Sequence, residues 1–300
     1  MKPVTLIGAP TDVGASIRGA SMGPDALRVA DIVSALGRNG LEVRDLGNLS
    51  GPGNPWQAPV DGMRHLREVL AWNEQIFETA YATLSAGHLP LLMGGDHCLA
   101  IGSVSAAARH CRETGKRLMV LWLDAHADAN TGSTSPTGNI HGMPVACLCG
   151  DGPAPLTALS GVTPAVSARQ IRQVGIRSVD AEEKLRLREL GLTVYDMRYI
   201  DENGMRQTME QALSGIDANT HLHVSFDVDF LDSQIAPGVG TPVRGGPTYR
   251  EAHLALEMIE DTGALGSLDV LELNPARDVH NQTAELVVEL LESLFGKSTL

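Results

Sequence analysis

The apolar residues of this chain gather in short runs that recur along its whole length, and most of these runs end in Gly, Asp or Asn. Short apolar runs bounded by turn-forming residues are typical of buried β-strands. The pattern therefore predicts eight strands, at Val4–Ile7, Leu41–Leu46, Leu89–Met93, Leu118–Leu123, Ile171–Ile176, Leu192–Tyr195, Leu222–Phe226 and Leu268–Leu273.

Amphipathic helices are predicted between these strands, from apolar residues that recur at helical spacing and from residues that begin and end helices. Because strands that alternate with helices form parallel sheets covered on both faces, the predicted fold class is α/β. The helix signals are Gly23–Gly37, Leu66–Leu84, a helix that follows the capping-box pattern Thr248–Glu251, and a last helix that Asn281 is placed to cap and that runs to Gly296.

The length and composition favour one large globular domain. The chain has 300 residues, of which 43% are apolar and 20% are charged, enough to bury a sizeable core. Its two least regular stretches, Leu49–Met63 and Gly150–Ser167, are rich in Gly, Pro and Ser, and we interpret both as loops inside the domain. We therefore predict a single domain over residues 1–300.

The charge balance excludes several classes of partner. The formal net charge is −13, which argues against nucleic-acid and anionic-membrane surfaces because both favour basic patches. No apolar run approaches the ~20 residues of a membrane span, and the first residues lack the pattern of an export signal. We expect a cytoplasmic protein whose cysteines, Cys98, Cys111, Cys147 and Cys149, are reduced and mostly buried.

Ionisable residues follow four of the predicted strands. Because open α/β sheets bind ligands outside the carboxyl ends of their strands, we expect these residues to meet in one site. If the chain is still extended after Leu123, alternation places Asp124, His126 and Asp128 on one face. The residues in question are Asp96 and His97, Asp124, His126 and Asp128, Asp227, Asp229 and Asp232, and Glu272.

So many carboxylates in one site require cations, because burying unpaired like charges is costly. Carboxylate oxygens with two imidazoles suit Mn²⁺, and suit Mg²⁺ or Zn²⁺ less well. The ligands suffice for two metal ions bridged by carboxylates, a pair that holds a water molecule as hydroxide at neutral pH. The residues alone therefore indicate a binuclear metallohydrolase.

Three motifs identify a family resemblance that extends from about Val4 to Gly296. They are similar, in order and spacing, to the three metal-binding signatures of the ureohydrolase (arginase/agmatinase) family. The resemblance implies a three-layer α/β/α domain with a central eight-stranded parallel sheet. The motifs are Gly94-Gly95-Asp96-His97, Asp124-Ala125-His126-Ala127-Asp128 and Ser225-Phe226-Asp227-Val228-Asp229, the last continuing through Ala236–Pro242.

The resemblance also implies a cofactor of two Mn²⁺ ions per chain and a reaction. In that family a hydroxide that bridges the two metal ions attacks a guanidinium carbon, and an amine and urea are released. Asp124 and Asp227 are implied to bridge the two ions. The implied ligands are His97, Asp124, Asp128 and Asp227 for one ion, and Asp124, His126, Asp227 and Asp229 for the other.

The loop from Asn130 to His141 points to the substrate. It resembles the loop with which L-arginine hydrolases of the family bind the substrate α-carboxylate, here through Asn130 and Thr137, where a serine is usual. The segment that begins at Gly175 resembles the one whose Asp180 binds the α-ammonium, with Glu183 in support.

Catalytic residues follow from the same resemblance. His141 matches the histidine that passes a proton to the leaving amine, a task that suits imidazole because its unperturbed pKa is ~6.5. Glu272 matches the carboxylate that pairs with the guanidinium, with Thr241 beside it. Asp128 joins His141 and Glu272 in the predicted catalytic set.

The expected reaction is therefore hydrolysis of L-arginine to L-ornithine and urea by a cytoplasmic homotrimer or homohexamer. The alternative is a sister ureohydrolase that acts on agmatine, guanidinobutyrate or another guanidino compound. A metal-binding protein of this fold without activity is disfavoured because all six ligand positions, His141 and Glu272 are present.

Overall fold

A computed structural model describes residues 2–297, and within them the chain forms eight strands, so all eight predicted strands are confirmed. The ends differ from the predicted ones by up to three residues. The strands are β1 Val4–Ala9, β2 Val43–Asn48, β3 Leu89–Gly94, β4 Arg117–Leu123, β5 Ile171–Ile176, β6 Thr193–Asp196, β7 Thr220–Asp227 and β8 Leu265–Leu271.

All eight strands belong to one sheet in the order β2-β1-β3-β8-β7-β4-β5-β6, and every neighbouring pair is parallel. The predicted eight-stranded parallel sheet is therefore confirmed. Since β3, β8, β7 and β4 are adjacent, their carboxyl ends lie side by side in the middle of one edge. Residues that follow these four strands are thereby brought together from positions far apart in the chain.

Helices cover both faces of the sheet, as the predicted three-layer arrangement requires. In β4, Met119, Leu121 and Leu123 pack into one core, whereas Val120 and Trp122 pack into the other. The first core includes residues of α1 Gly23–Val29, α2 Ile32–Arg38, α8 Met197–Ala212, α9 Tyr249–Asp261 and α10 Gln282–Leu294; the second includes residues of α3 Leu66–Ser85, α4 Ala100–Thr114, α5 Pro144–Leu148 and α6 Ala154–Thr157, with α7 Ala181–Leu190 at its margin.

Two helix predictions needed correction. The segment predicted as one helix over Gly23–Gly37 is split into α1 and α2, because Asp31 adopts a left-handed conformation with φ of 63°. Aspartate tolerates that conformation better than most residues, so apolar spacing alone did not reveal the break. Asn281 does precede α10, but its side chain donates a hydrogen bond to the carbonyl oxygen of Ala26 and does not cap the helix. Thr248 and Glu251 form the predicted capping box of α9.

A buried polar network joins β7 to β8 beneath the site. His223 Nε2 lies 3.0 Å from Asp269 Oδ2, and the hydroxyl of Ser103 donates to the same oxygen at 2.6 Å. His223 Nδ1 lies 2.7 Å from the hydroxyl of Ser267. These bonds satisfy charged and polar groups that the sheet buries, and they join two strands whose ends carry site residues.

Other predictions fare as follows. None of the four cysteines is paired with another in the part of the chain described, and Cys98, Cys111 and Cys147 are buried. No helix between residues 2 and 297 combines the length and the apolar character needed to cross a membrane. The single domain over residues 1–300 stays a prediction, and Met1 and residues 298–300 lie outside the described residues.

Candidate active site

The strand ends supply the side chains of a cavity of about 190 Å³ at the carboxyl edge of the sheet. His97 follows β3, Asp227 ends β7 and Glu272 follows β8, and all three are buried. The cavity thus forms where four adjacent parallel strands end, as the sequence predicted. Its lining includes His97, His126, Asp128, Asn130, Thr137, His141, Asp180, Glu183, Asp227, Thr241 and Glu272.

Three carboxylates surround one imidazole nitrogen of His97. The Nδ1 atom lies 3.1 Å from Asp124 Oδ2, 3.2 Å from Asp128 Oδ2 and 3.0 Å from Asp227 Oδ2. His97, Asp124 and Asp227 form a group whose ligand atoms lie close enough together to hold one metal ion. Asp128 approaches the same nitrogen although it is not part of that compact group.

A second group shares Asp124 with the first. His126 Nδ1 lies 3.0 Å from Asp229 Oδ2 and 3.6 Å from Asp124 Oδ1, and these three residues could hold a second ion. The two oxygens of Asp124 therefore face two different histidines, as a bridging carboxylate would. Asp227 belongs to the first group only, and its Oδ1 accepts a hydrogen bond from the backbone N–H of Asp229.

The buried donor atoms fit metal ions better than hydrogen bonding among themselves. His97 Nδ1 and Asp128 Oδ2 are buried, and neither has a hydrogen-bond partner within the described chain. Buried polar atoms are nearly always partnered, so two exceptions that lie 3.2 Å apart require an explanation. Oxygens from several carboxylates with imidazole nitrogens form a donor set that divalent cations accept.

Crowding also governs the electrostatics of these groups. Burial and the charges of Asp229 and Asp124 raise the pKa of Asp227 well above its usual range. Burial disfavours a charge on His126, but the carboxylates of Asp229 and Asp124 outweigh it and raise the pKa of His126 to about 12. Burial likewise opposes protonation of His97, yet its carboxylate neighbours hold its pKa well above the ordinary value. The cluster therefore demands positive charge.

The spacing of the motifs has a local structural reason. In each motif a carboxylate oxygen accepts a hydrogen bond from the backbone two residues further on, which turns the chain directly after the strand. Asp124 Oδ1 accepts from His126 N at 2.7 Å, and Asp227 Oδ1 accepts from Asp229 N at 2.7 Å. Asp229 Oδ1 accepts from Ala125 N at 3.1 Å, which ties the two motifs together.

Neighbouring side chains that had no predicted role orient the candidate ligands. The indole N–H of Trp122 donates to Asp124 Oδ2 at 2.8 Å, and its ring stacks on His97 with centroids 4.3 Å apart. The hydroxyl of Ser225 lies 2.9 Å from His97 Nε2, the nitrogen that faces away from the carboxylates. Ser225 and Trp122 are buried residues of β7 and β4. From periodicity alone, one would predict only that they pack in the core.

Arg177 is another residue without a predicted role. Its guanidinium donates to the carbonyl oxygens of Asp229, Phe230 and Leu231, and also to Val243, at 2.7 to 3.1 Å. It therefore holds the turn after β7 and the loop that leads from Thr241 to α9. Burial lowers the pKa of Arg177, while the surrounding carboxylates, Asp229 foremost, oppose that shift.

Asp96 belonged to the candidate acidic residues, but both of its oxygens are engaged by the backbone. Oδ2 accepts from Gly14 N at 2.8 Å and Oδ1 accepts from Cys98 N at 3.1 Å. Asp96 therefore fixes the turn that presents His97 and is absent from both candidate metal-binding groups. Its place directly before a helical turn is the sequence signal for that role.

The wall of the same cavity also carries the residues predicted to recognise an amino acid. Asn130 Nδ2 donates to Asp180 Oδ2 at 2.9 Å, and Asp180 Oδ1 caps α7 by accepting from Glu183 N at 2.9 Å. Glu183 Oε1 accepts from Ala129 N at 2.9 Å. Thr137 lies on the exposed rim and lines the same cavity. The structure thus brings the predicted substrate residues to one side of the acidic cluster.

His141 and Glu272 form a hydrogen-bonded pair in the cavity wall. His141 Nδ1 lies 2.9 Å from Glu272 Oε1, which also accepts from His97 N at 2.9 Å. Burial opposes a charge on His141, but the charge and hydrogen bond of Glu272 raise the pKa of His141 to about 9. The hydroxyl of Thr241, predicted to lie beside Glu272, lines the cavity with it and donates to Asp229 Oδ2 at 3.1 Å.

Known proteins resemble this chain in sequence and in fold over its whole length. The sequence pattern of the Arginase family matches residues 2–296. The chain is 41% identical to an arginase of Bacillus caldovelox over 303 residues, which cover all of both chains. It is 42% identical to an arginase of Bacillus subtilis over 300 residues, which cover all of this chain and 99% of the relative. The crystal structure of the Bacillus caldovelox arginase superposes with a TM-score of 0.94 at 40% identity over all of both chains.

A second solved structure is an arginase of Entamoeba histolytica in complex with L-ornithine. It superposes with a TM-score of 0.91 at 28% identity and covers 99% of both chains. The fold and these relatives define an α/β/α hydrolase with two candidate metal-binding groups. The chain belongs to the arginase family.

The raised pKa of Glu183 predicts that the stability of chelator-treated protein depends on pH. Burial raises its pKa to about 7 from the ordinary 4.5, with smaller contributions from the charges of Asp128 and Asp180, although the hydrogen bond from Ala129 opposes the shift. A raised carboxyl pKa stabilises the fold below pH ~4.5, and this contribution is lost as the pH rises through about 7. Glu183→Gln keeps the oxygen that accepts from Ala129 but does not titrate.

We therefore expect the difference in melting temperature between wild type and Glu183→Gln to move in favour of the variant from pH 6 to pH 8. Thermal unfolding in a chelating buffer measures it. Taking the difference removes contributions from other groups that both proteins share. A difference that stays constant over this range would show that Glu183 ionises normally.

Proposed function

We propose that this protein is a binuclear manganese hydrolase that converts L-arginine and water to L-ornithine and urea. The observation that carries the proposal is that one cavity contains two chemically different sets of residues. One set forms two candidate metal-binding groups that share Asp124, and the other includes Asn130 and Asp180, which are in hydrogen-bond contact. Full-length similarity to arginases, one of them in complex with L-ornithine, supports the same substrate.

The first proposed ion would be held by His97, Asp124, Asp128 and Asp227, and the second by Asp124, His126, Asp227 and Asp229. When bound, two such ions would supply Lewis acidity and would lower the pKa of a water molecule towards neutrality. Manganese is proposed because carboxylate oxygens outnumber nitrogens in this set. The approach of His97 Nδ1 to three carboxylates and the sharing of Asp124 between the groups support the assignment.

The remaining residues bind and orient the substrate. Asp180 pairs with the α-ammonium and Glu183 adds negative charge behind it, while the Asn130 amide and Thr137 hydroxyl bind the α-carboxylate. Both poles of an amino acid are thus met by groups of opposite or complementary character. Glu272 pairs with the guanidinium, with Thr241 beside it in the cavity wall.

Proton transfer is proposed for two side chains. The pKa of about 9 keeps His141 protonated at neutral pH, the state that can donate a proton to the leaving amine. Asp128, whose Oδ2 has no partner within residues 2–297, is placed to accept a hydrogen bond from the attacking water. Glu272 orients His141 through Nδ1 and thereby leaves Nε2 to act.

The alternative substrates are agmatine, guanidinobutyrate and other guanidino compounds. Agmatine has no carboxylate for Asn130 and Thr137 to bind, and 4-guanidinobutyrate has no ammonium for Asp180. The contact of Asn130 with Asp180 therefore favours a substrate that has both groups, which is L-arginine. A cytoplasmic homotrimer or homohexamer, expected from the family resemblance, stays a prediction.

The substrate prediction is tested by urea release from Mn²⁺-loaded protein with L-arginine, agmatine and 4-guanidinobutyrate at alkaline pH. We expect kcat/KM to be highest for L-arginine. In Asp180→Asn, the KM for L-arginine should rise about tenfold or more, because a charge-assisted contact is worth ~1.5–3 kcal/mol. Asparagine retains one oxygen, which can still cap α7, but its amide nitrogen cannot accept the hydrogen bond from Asn130, so the variant removes the charge together with that bond.

The same variant should act on 4-guanidinobutyrate as wild type does, because that compound has no ammonium to lose. Equal loss for both compounds would mean that Asp180 supports the loop and does not bind the ammonium. A wild-type preference for agmatine or 4-guanidinobutyrate would overturn the proposed substrate and leave the metal assignment standing.

Metal stoichiometry tests the shared ligand. Wild-type protein should bind two Mn²⁺ per chain, and Asp124→Asn should bind fewer than one, because both groups lose the charge of a common member. The measurement is metal analysis of the purified protein after equilibrium dialysis. Asp261→Asn, an exposed substitution on α9, is the matched control and should retain two ions. Two ions bound by Asp124→Asn would refute the bridge.

His141 is tested by replacement with alanine. Loss of a positioned general acid typically lowers turnover by ~10²-fold or more, and we expect that loss in kcat for L-arginine. Manganese content should stay at the wild-type level because His141 is outside both candidate groups, and added imidazole should restore part of the activity. Wild-type kcat in His141→Ala would remove the residue from the mechanism.

A further inference from the structure

The loop that carries the proposed carboxylate-binding residues has little support of its own at its crest. Ser133, Pro136 and Thr137 are exposed, although Gly138 and Asn139 beside them are buried. The loop's own hydrogen bonds are short-range, such as Gly138 N to the Ser135 hydroxyl at 3.0 Å. A hydroxyl on such a crest keeps a defined position only if another part of the chain holds the loop.

Residues 57–65, which we call the clasp, lie directly against this crest. Arg64 donates its backbone N–H to the carbonyl oxygen of Gly138 at 2.7 Å, and its side-chain Nε donates to the carbonyl oxygen of Thr137 at 3.2 Å. These two hydrogen bonds hold the consecutive peptide units of Thr137 and Gly138 in the loop. Most of the clasp lies within Leu49–Met63, an irregular stretch for which the sequence predicted only a loop.

Glycines allow the two segments to meet backbone to backbone. A Cβ atom on Gly62 would overlap the carbonyl oxygen of Gly132, and a Cβ on Gly138 would approach Pro59 to 2.8 Å. Both glycines have positive φ, 75° and 70°, which other residues rarely adopt. The contact is thus built into the backbones and does not depend on long side chains meeting at the surface.

The clasp is itself anchored to the body of the protein. Arg64 Nη1 donates to the carbonyl oxygen of Gln57 at 2.8 Å, and Gln57 N donates to His65 Nε2 at 2.9 Å. His65 Nδ1 therefore carries the proton and donates to the carbonyl oxygen of Val13 at 2.8 Å. His65 is buried at the start of α3.

A second contact extends this chain of bonds towards the proposed proton donor. The residue after Val13, Gly14, accepts a hydrogen bond from the backbone N–H of His141 at 3.1 Å. The two ends of the substrate loop, Thr137 and His141, are thus held by segments that His65 joins. Among the clasp residues named here, Arg64 is the one whose side chain bonds to Thr137, which is proposed to bind the substrate.

We propose that Arg64 is a positioning residue that holds Thr137 where its hydroxyl binds the substrate α-carboxylate. The proposal rests on the proposed function, because it assumes that the substrate has a carboxylate. A planar guanidinium can serve the carbonyls of Gln57 and Thr137 at once with fixed geometry, whereas a lysine ammonium cannot reproduce that fork. Arg64 touches neither the acidic cluster nor any residue of the two candidate metal-binding groups among the hydrogen bonds that the structure describes.

The experiment compares Arg64→Ala, Arg64→Lys and Arg67→Ala in the Mn²⁺-loaded enzyme. Arg67 is exposed three residues along and, within residues 2–297, makes no hydrogen bond or ion pair through its side chain, so its replacement controls for loss of a nearby charge. Steady-state kinetics are measured with L-arginine and with agmatine, and amide hydrogen exchange is measured over residues 132–139.

We expect Arg64→Ala to raise the KM for L-arginine about tenfold, with kcat within about twofold of wild type and the KM for agmatine unchanged. Arg64→Lys should behave like Arg64→Ala, and Arg67→Ala like wild type. Amide exchange over residues 132–139 should speed up in both Arg64 variants, because the loop has lost the hydrogen bond from Arg64 Nε to the carbonyl oxygen of Thr137.

Several results would overturn the proposal. They are unchanged exchange over residues 132–139 in Arg64→Ala, an equal rise in KM for agmatine, and wild-type KM for L-arginine in Arg64→Lys, which would mean that charge alone matters. The exchange experiment needs no substrate. If wild type prefers agmatine, the proposed function fails and the carboxylate-positioning role fails with it, whereas faster exchange would still show that Arg64 holds the loop.

Discussion

The structure depends on the concentration of buried carboxylates around two imidazoles. Asp124, Asp227, Asp229 and His97 are buried, and the partly exposed His126 lies beside them. Like charges so close together are unfavourable unless cations offset them, and the shifts in pKa of the histidines reflect that demand. The sheet order, the turns after the strands and the surrounding hydrogen bonds all serve to hold this unfavourable arrangement in place.

Two structural features place these residues: the order of strands in the sheet, and local hydrogen bonds at the strand ends. Over long range, a parallel sheet brings the ends of β3, β8, β7 and β4 together, so residues far apart in sequence become neighbours. Over short range, each motif uses its own aspartate to bond the backbone two residues on, which turns the chain at the strand end. Trp122 and Ser225 then fix the rings and oxygens, and Arg177 holds the turn from below. A ligand set held from several sides relaxes little when cations bind or leave.

The cavity separates reaction from recognition. The acidic cluster lies on the rigid strand ends, whereas the residues proposed to recognise an amino acid lie on loops, Thr137 on an exposed crest and Asp180 at the start of α7. Loops placed on a rigid sheet can vary without disturbing the chemistry beneath them. Within one family, choice among guanidino compounds can therefore rest on the loop and on whatever holds it, here the clasp that Arg64 joins to the crest.

The sequence by itself determined the eight strands, the alternating order of strands and helices, and the candidate ligand residues at the strand ends. These features depend on near neighbours in the chain: apolar periodicity, turn residues and motif spacing. Only the tertiary structure decided the strand order, the break at Asp31, the hydrogen bond of Asp96 to Gly14, the grip of Arg177 on the turn after β7 and the contact of Arg64 with Thr137. The contacts join residues whose separation along the chain gives no periodic signal, so they form only once the sheet has brought distant segments together. The break at Asp31 depends on one backbone angle, which the spacing of apolar residues does not reveal.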